Sequence, residues 1–259
     1  MRPALGTFVE IVINDHDADT SFADKAFDQI QYIHHGLSFH QKDSYLNQLN
    51  LNPHQWIEMP LCIRRLLYVA QLLTFRTNQS FDCSIGRLLV HAGALPSPAN
   101  NSMGQLRADG HFLAFSNKAV KLTQPVWLVM DGIAKGYAVD LAVKSLKTNG
   151  VKSAWVNAGG DLRIFGDISS IFHIRHQQKI TASVQLSQTA MATSASENQP
   201  DFPALLIDEQ NRPLTGCYAV AAPWAFLADA LTKTIAACPA DKVPALLALF
   251  RAQLVFQQK

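Results

Sequence analysis

Four short segments carry residue types that could act on a phosphate. Asn157-Ala158-Gly159-Gly160-Asp161 joins two strand-like runs through adjacent glycines. Without Cβ atoms, successive backbone N–H groups can converge on an anion, although the same pair also makes a plain hairpin turn. Asp131-Gly132-Ile133-Ala134-Lys135 opens a helical run, where unpaired N–H groups, the positive end of the helix dipole and a first-turn lysine favour an anion. It is not a Walker loop, which needs a different glycine spacing and a hydroxyl residue after the lysine, and Asp131 reads equally well as an N-cap. Ala192-Thr193-Ser194-Ala195 sets two hydroxyls after a strand, as phosphate donors or as turn caps. Asp229 faces Lys233 across one turn of an Ala-rich helix. That pair is an ordinary i,i+4 ion pair worth a few tenths of a kcal/mol, or a carboxylate available to a hard cation such as Mg²⁺. The nine histidines include no H-x-x-x-H pair.

Regular elements must hold these segments in place. Residues 7–13 are β-branched and partly alternating, which predicts a strand. Apolar residues at helical spacing predict helices over 19–35 (Phe22, Ala26, Ile30, Ile33) and 60–77 (Leu61, Leu66, Val69, Leu72, Leu73), with a short helical turn over 44–50 between them. Residues 96–103 form a Pro-, Ser- and Asn-rich surface loop. Runs at 111–115 and 119–122 have the spacing of a hairpin. A helix over 132–147 ends at Asn149-Gly150, a left-handed stop. Strands then follow at 153–157, 162–165, 171–175, 181–186, 204–207 and 218–221. Helices over 224–237 and 243–251 and a strand over 252–256 close the chain. Runs of strands alternating with grouped helices predict an α+β fold with antiparallel sheets and packed helices.

Composition excludes other classes. With 48% hydrophobic and 16% charged residues over 259 positions, the chain can bury a full core. Net charge is +2 with no basic block, so there is no footprint for nucleic acid or an anionic membrane. No apolar run reaches membrane-spanning length, and the first residues enter strand-like alternation without a signal-peptide core. Cys62, Cys83, Cys217 and Cys238 are far apart without C-x-x-C, which predicts buried thiols and no zinc site or disulfide framework.

Taken in order, Leu5-Gly6-Thr7, residues 44–50, Phe81-Asp82, the helix start over 131–140, residues 157–166, Ala192-Thr193-Ser194 and residues 228–233 resemble the FAD:protein FMN transferase (ApbE) family over almost the whole chain. The most specific pieces are Gly-Ile-Ala-Lys-Gly-Tyr-Ala-Val-Asp at 132–140 and Asn-Ala-Gly-Gly-Asp-Leu-Arg at 157–163. The resemblance implies a single domain over 1–259 built as two interlocked sheet and helix units, and Mg²⁺-dependent transfer of FMN from FAD to a threonine hydroxyl of an acceptor flavoprotein, with AMP leaving. It also implies that Leu5 packs on the flavin and that His40, Ser80, Phe81, Asp82, Lys135, Gly160, Asp161, Thr193 and Ile207 surround FAD. Asp229 and Lys135 are the implied catalytic residues, and the Gly132 carbonyl and Asp229 the implied metal ligands. A periplasmic location follows if a signal precedes this chain, and a cytoplasmic one if Met1 is the true start.

The chain departs from the family pattern at several of these positions. Leu5 replaces a usual methionine, His40 a usual tyrosine and Ser80 a usual glycine. Ala195 replaces the glycine after Thr-Ser. Lys233 stands where the family has a metal-ligating hydroxyl, and an ammonium cannot ligate Mg²⁺. Thr232, one residue earlier, and Asp131, beside Gly132, are the residues that could compensate. Leu205 stands where the family has histidine. These departures leave two alternatives beside transfer: a non-catalytic FAD-binding protein, and an FAD pyrophosphatase.

Overall fold

Alternation along the strands assigns each residue to a face, and two layers cover the two faces of one large sheet. The computed structural model describes residues 1–15, 19–97, 104–177, 179–196, 206–208 and 210–258. Strands β1 (Arg2–Ala4) and β2 (Thr7–Ile13) lead into helix α1 (Ser21–Leu37). Helix α2 (Tyr45–Leu51), strand β3 (Trp56–Glu58), helices α3 (Leu61–Arg76) and α4 (Gly86–His91), and the hairpin β4 (Leu113–Phe115) and β5 (Ala119–Leu122) follow. After α5 (Ala134–Thr148) come β6 (Ala154–Ala158), β7 (Asp161–Phe165), β8 (Ser169–His176), β9 (Lys179–Ser187), β10 (Ala190–Ser196) and β11 (Gly216–Ala222). Helices α6 (Ala225–Ala237) and α7 (Val243–Leu249) and strand β12 (Gln253–Gln258) complete the order.

The large sheet runs β1-β2-β6-β7-β10-β11-β12 with every neighbouring pair antiparallel. A second sheet, β3-β5-β4, and a third, β8-β9, are antiparallel as well. The α+β architecture with antiparallel sheets and packed helices is therefore what the chain forms. On one face of the large sheet, Ala154, Val156 and Ala158 of β6 join the main core with Ala138, Val139 and Ala142 of α5 and Leu231 of α6. On the other face, Leu162, Ile164, Met191, Cys217 and Ala219 pack against Ile174 and Leu186 of the β8-β9 hairpin.

Most predicted elements form within one or two residues of their predicted ends. Ile207 is the exception: it makes only an isolated bridge to Pro213, while Ala204 and Leu205 of the strand predicted at 204–207 lie outside the described residues. Positions 98–103 of the predicted 96–103 loop lie outside them too. Thr193 and Ser194 sit inside β10, not after a strand. Asp131 is not the N-cap of α5, because that position is Ile133 and no side chain caps the helix. Cys83 and Cys217 are buried as predicted, but Cys62 and Cys238 are only half-buried. Helix α4 escaped prediction because it is six residues long and begins on Gly86, whose N–H donates to the Trp127 carbonyl at 2.9 Å. A Cβ at Gly86 would lie 2.7 Å from that oxygen.

Candidate functional site

The register of β6 against β7 pairs Val156 with Arg163 and Ala158 with Asp161, which puts Asp161 and Arg163 on the face covered by α5. Helix α5 meets them with residues of opposite sign. Lys135 Nζ lies 3.2 Å from Asp161 Oδ2, and Arg163 Nη1 donates to Asp140 Oδ1 at 2.6 Å. Asp161 is fully buried, and among the described residues Lys135 is the group of opposite charge that faces it, at ion-pair distance.

Helix α6 lies beside α5, at a separation that a single glycine permits: a Cβ on Gly136 would lie 2.3 Å from the Ala225 carbonyl oxygen. The Gly136 N–H donates to Asp229 Oδ2 at 3.1 Å, and Lys233 Nζ donates to Asp229 Oδ1. Asp229 is fully buried, while Lys233 is 19% exposed. The Thr232 hydroxyl donates to the Asp229 backbone carbonyl at 2.7 Å and lies 2.8 Å from Ser194 Oγ. Thr232 is itself fully buried, and its hydroxyl is engaged by these two partners beside Lys233.

An open cleft of about 1740 Å³ is lined by residues of the inner strands β2, β6, β7 and β10 of the large sheet. Leu5, His40, Lys135, Gly160 and Thr193 line it, together with the β8-β9 hairpin residues Phe172, His173 and Arg175. A second cavity of about 110 Å³ is lined by Ser80, Phe81, Asp82, Ile207 and Gly132. Asp131, Leu206 and Lys233 line both. The residues singled out by sequence therefore divide between two adjoining cavities, with Asp161 and Asp229 buried beneath the wall that separates them from the core. Leu205 lies outside the described residues.

Three of these residues are committed to holding the frame. The Gly160 N–H is not open to an anion, since it donates to Asn157 Oδ1 at 3.0 Å, while the Gly160 carbonyl accepts from Thr193 N–H at 3.1 Å. The Gly-Gly turn, with φ of 62° and 102°, is a built hairpin turn that sets Thr193 beside it. Asp82 accepts from Ser84 N–H and Oγ at 2.8 and 2.7 Å and from Arg107 Nη1 at 2.9 Å. Arg107 in turn donates to the Asp208 carbonyl at 2.7 Å, so Asp82 ties two loops at the smaller cavity. Leu5 adopts φ 55° in the two-residue turn between β1 and β2, a left-handed conformation that costs a non-glycine residue about 1 to 3 kcal/mol. That strain places an apolar side chain at the cleft mouth.

The charge pattern follows from burial. Desolvation first, and the neighbouring Asp229 charge second, push the Asp161 carboxyl up to about 6. Lys135 is raised chiefly by Asp161 and, less, by Asp229 and Asp131, so it stays a cation. Asp131 is exposed on the cleft wall, so the upward push from its crowded surroundings, set against the pull of His40, Lys135 and Lys233, is a weak one. Three carboxylates and two ammonium groups thus interact around one stretch of cleft wall, an arrangement suited to holding phosphate oxygens on cations that are themselves fixed by carboxylates.

The same donors fit a divalent cation poorly. Each Asp229 oxygen already accepts a hydrogen bond, one of them from an ammonium, and the Thr232 hydroxyl is taken up by the Asp229 backbone carbonyl and Ser194. Among the described residues there is no group of three or more His, Cys, Asp or Glu side chains that could hold a metal ion. Sequence reasoning placed Lys233 beside Asp229 but missed that it lines both cavities. It missed the structural roles of Asn157 and Arg163 as well, although both stand in the most specific motif. The β8-β9 hairpin as a cleft wall carried no motif at all.

Fold and cleft define an α+β protein in which Lys135 and Lys233 face an open cleft beside an antiparallel sheet. The ApbE family model matches residues 5–256, and the chain belongs to that family. The ApbE protein of Thermotoga maritima superposes with a TM-score of 0.81 at 22% identity, covering 100% of this chain and 95% of that one. The flavin transferase ApbE of Vibrio cholerae gives 0.80 at 17% identity over 98% and 90%. The apo flavinyl transferase ApbE of Pseudomonas stutzeri gives 0.76 at 21% identity over 90% and 82%. At these identities the likeness is one of fold. No curated protein matches the chain. No helix among the described residues is long and apolar enough to cross a membrane.

Proposed function

We propose that this chain transfers FMN from FAD to a threonine hydroxyl of an acceptor flavoprotein, releasing AMP. The observation that carries the reading is the convergence of Lys135 and Lys233 on one wall of a cleft large enough for a dinucleotide, in a member of the ApbE family. The acceptor oxygen bonds to the FMN phosphorus as the pyrophosphate P–O bond breaks. AMP leaves with the bridging oxygen, and the hydroxyl proton passes to a base. Little covalent chemistry falls to the protein, so holding the pyrophosphate and neutralising its oxygens is the main task. Lys135 and Lys233 supply cations, Thr193 a hydroxyl at the turn, and Leu5 and His40 line the space for the flavin or its neighbouring groups. The family resemblance also implies Mg²⁺, which the residues present fit poorly, since both Asp229 oxygens already accept hydrogen bonds, one of them from the Lys233 ammonium. A periplasmic site of action is part of the same reading if a signal precedes this chain.

The pairing of Asp229 with Lys233 favours a second reading, a flavin binder that does not transfer. Incubation with FAD and a threonine-bearing acceptor domain separates the two. AMP release with an FMN-sized mass gain on the acceptor is the expected result, AMP alone indicates a pyrophosphatase, and intact bound FAD under every metal condition leaves the binder. Lys135→Met should weaken FAD binding about tenfold or more, as loss of a charged hydrogen bond does.

A further inference from the structure

Lys233 sits at the seam of the two cavities and lines both. A Cβ built on Gly132 would lie 3.8 Å from Lys233 Cγ, so the lysine stem runs along the turn that precedes α5 and its head reaches the cleft. Asp229 fixes the ammonium from below, and the Gly136 N–H fixes Asp229. On the same wall Lys135 is anchored over buried Asp161.

A divalent ion at a pyrophosphate would screen its oxygens and bridge them to a protein carboxylate. An ammonium clamped to a buried carboxylate does the same with a cation that is part of the chain. Two such ammonium groups carry the charge of one divalent ion, and an ion placed on Asp229 would stand against the Lys233 charge at close range. Resting on the flavin-dinucleotide reading above, we infer that Lys233 takes the place of a divalent cation in this protein, so that Lys233 and Lys135 bind the pyrophosphate without Mg²⁺.

The test uses the whole chain as wild type, Lys233→Thr and Lys233→Arg. FAD binding is followed by quenching of flavin fluorescence in EDTA and in Mg²⁺, and Mn²⁺ binding by the electron paramagnetic resonance signal of the free ion. Wild type should hold FAD with affinities agreeing within about twofold in the two buffers and leave Mn²⁺ free. Lys233→Thr should lose about tenfold or more of its FAD affinity in EDTA, regain it with Mg²⁺, and bind Mn²⁺. Lys233→Arg should keep metal-independent binding, which ties the effect to the cation. If Lys233→Thr does not fold, wild type and Lys233→Arg decide the matter alone. Wild type that needs Mg²⁺ to hold FAD, or that binds Mn²⁺, overturns the inference. If wild type holds no FAD in either buffer, the flavin reading is what fails. Mn²⁺ then still decides the lysine: binding to Lys233→Thr alone upholds the substitution, and binding to wild type or to neither overturns it.

Discussion

Asp140 and Arg163 lock the two layers of the site together: Arg163 Nη1 donates to Asp140 Oδ1 at 2.6 Å from the sheet, on the residue next but one to Asp161. The same carboxylate accepts the N–H groups of Ala225 and Phe226 at 3.1 and 3.0 Å, the first residues of α6. One side chain of α5 therefore positions β7 and caps the helix that carries Asp229 and Lys233.

Asp140→Ala should cost about 3 to 5 kcal/mol, since it leaves a mostly buried guanidinium unpaired and uncaps α6. Urea denaturation measures the loss. A cost under 1 kcal/mol would show that the carboxylate is dispensable to the frame.

Much of this arrangement was legible in the sequence, and the rest was hidden for definite reasons. Helical spacing of Ile30 and Ile33 and the β-branched run at Thr7–Ile13 predict their elements because burial on one face dictates the period. Gly159-Gly160 marks a turn because two positive φ values demand it. Which polar groups a residue meets is set by strand register and helix packing. Asn157 closes its own turn, a local bond of the kind that Asn before Gly-Gly makes, whereas Asp82 binds a distant Arg107, and that bond has no signature in local spacing. Lys233 read as an i,i+4 partner of Asp229 because that contact is local, whereas its place on both cavities depends on how α6 lies against the turn before α5.

Leu5 should separate stability from binding. Leu5→Gly relieves a left-handed backbone strain and should raise stability by about 1 kcal/mol, offset in part by the extra freedom of glycine in the unfolded chain. The same change removes an apolar wall of the cleft and should weaken FAD binding severalfold, by the area it exposes. Thermal melting and fluorescence titration on one preparation read both. Falling stability would mean that packing of Leu5 outweighs its strain.

Gly136 is required by the close approach of α5 and α6. Gly136→Ala places a methyl group 2.3 Å from the Ala225 oxygen, and the helices must part. Overpacking of this kind costs about 1 to 3 kcal/mol or more, and it should also lengthen the Gly136 to Asp229 hydrogen bond. Hydrogen exchange should show faster exchange at the start of α6, whereas an unchanged pattern would mean the helices absorb the methyl group elsewhere.

Asp161 makes stability depend on pH in a specific direction. Its folded-state carboxyl is raised to about 6 by burial and by Asp229, above the ordinary carboxylate value of about 3.9. A group shifted this way contributes stability that is complete below the unfolded value and is lost as pH rises through the folded one. The window is thus about pH 4 to 6. Asp161→Asn cannot titrate, so its stability relative to wild type should be higher at pH 7 than at pH 5, with chemical denaturation at the two values as the measurement. A gap that is constant, or that moves the other way, would place the Asp161 proton elsewhere. The titration bears on binding as well. Below pH 6 the neutral carboxyl no longer draws on the Lys135 charge, so wild-type affinity for FAD, whose pyrophosphate stays ionised across this range, should rise as pH falls from 7 to 5.5. In Asp161→Asn that rise should shrink, because Lys135 already lacks its counter-ion at both values.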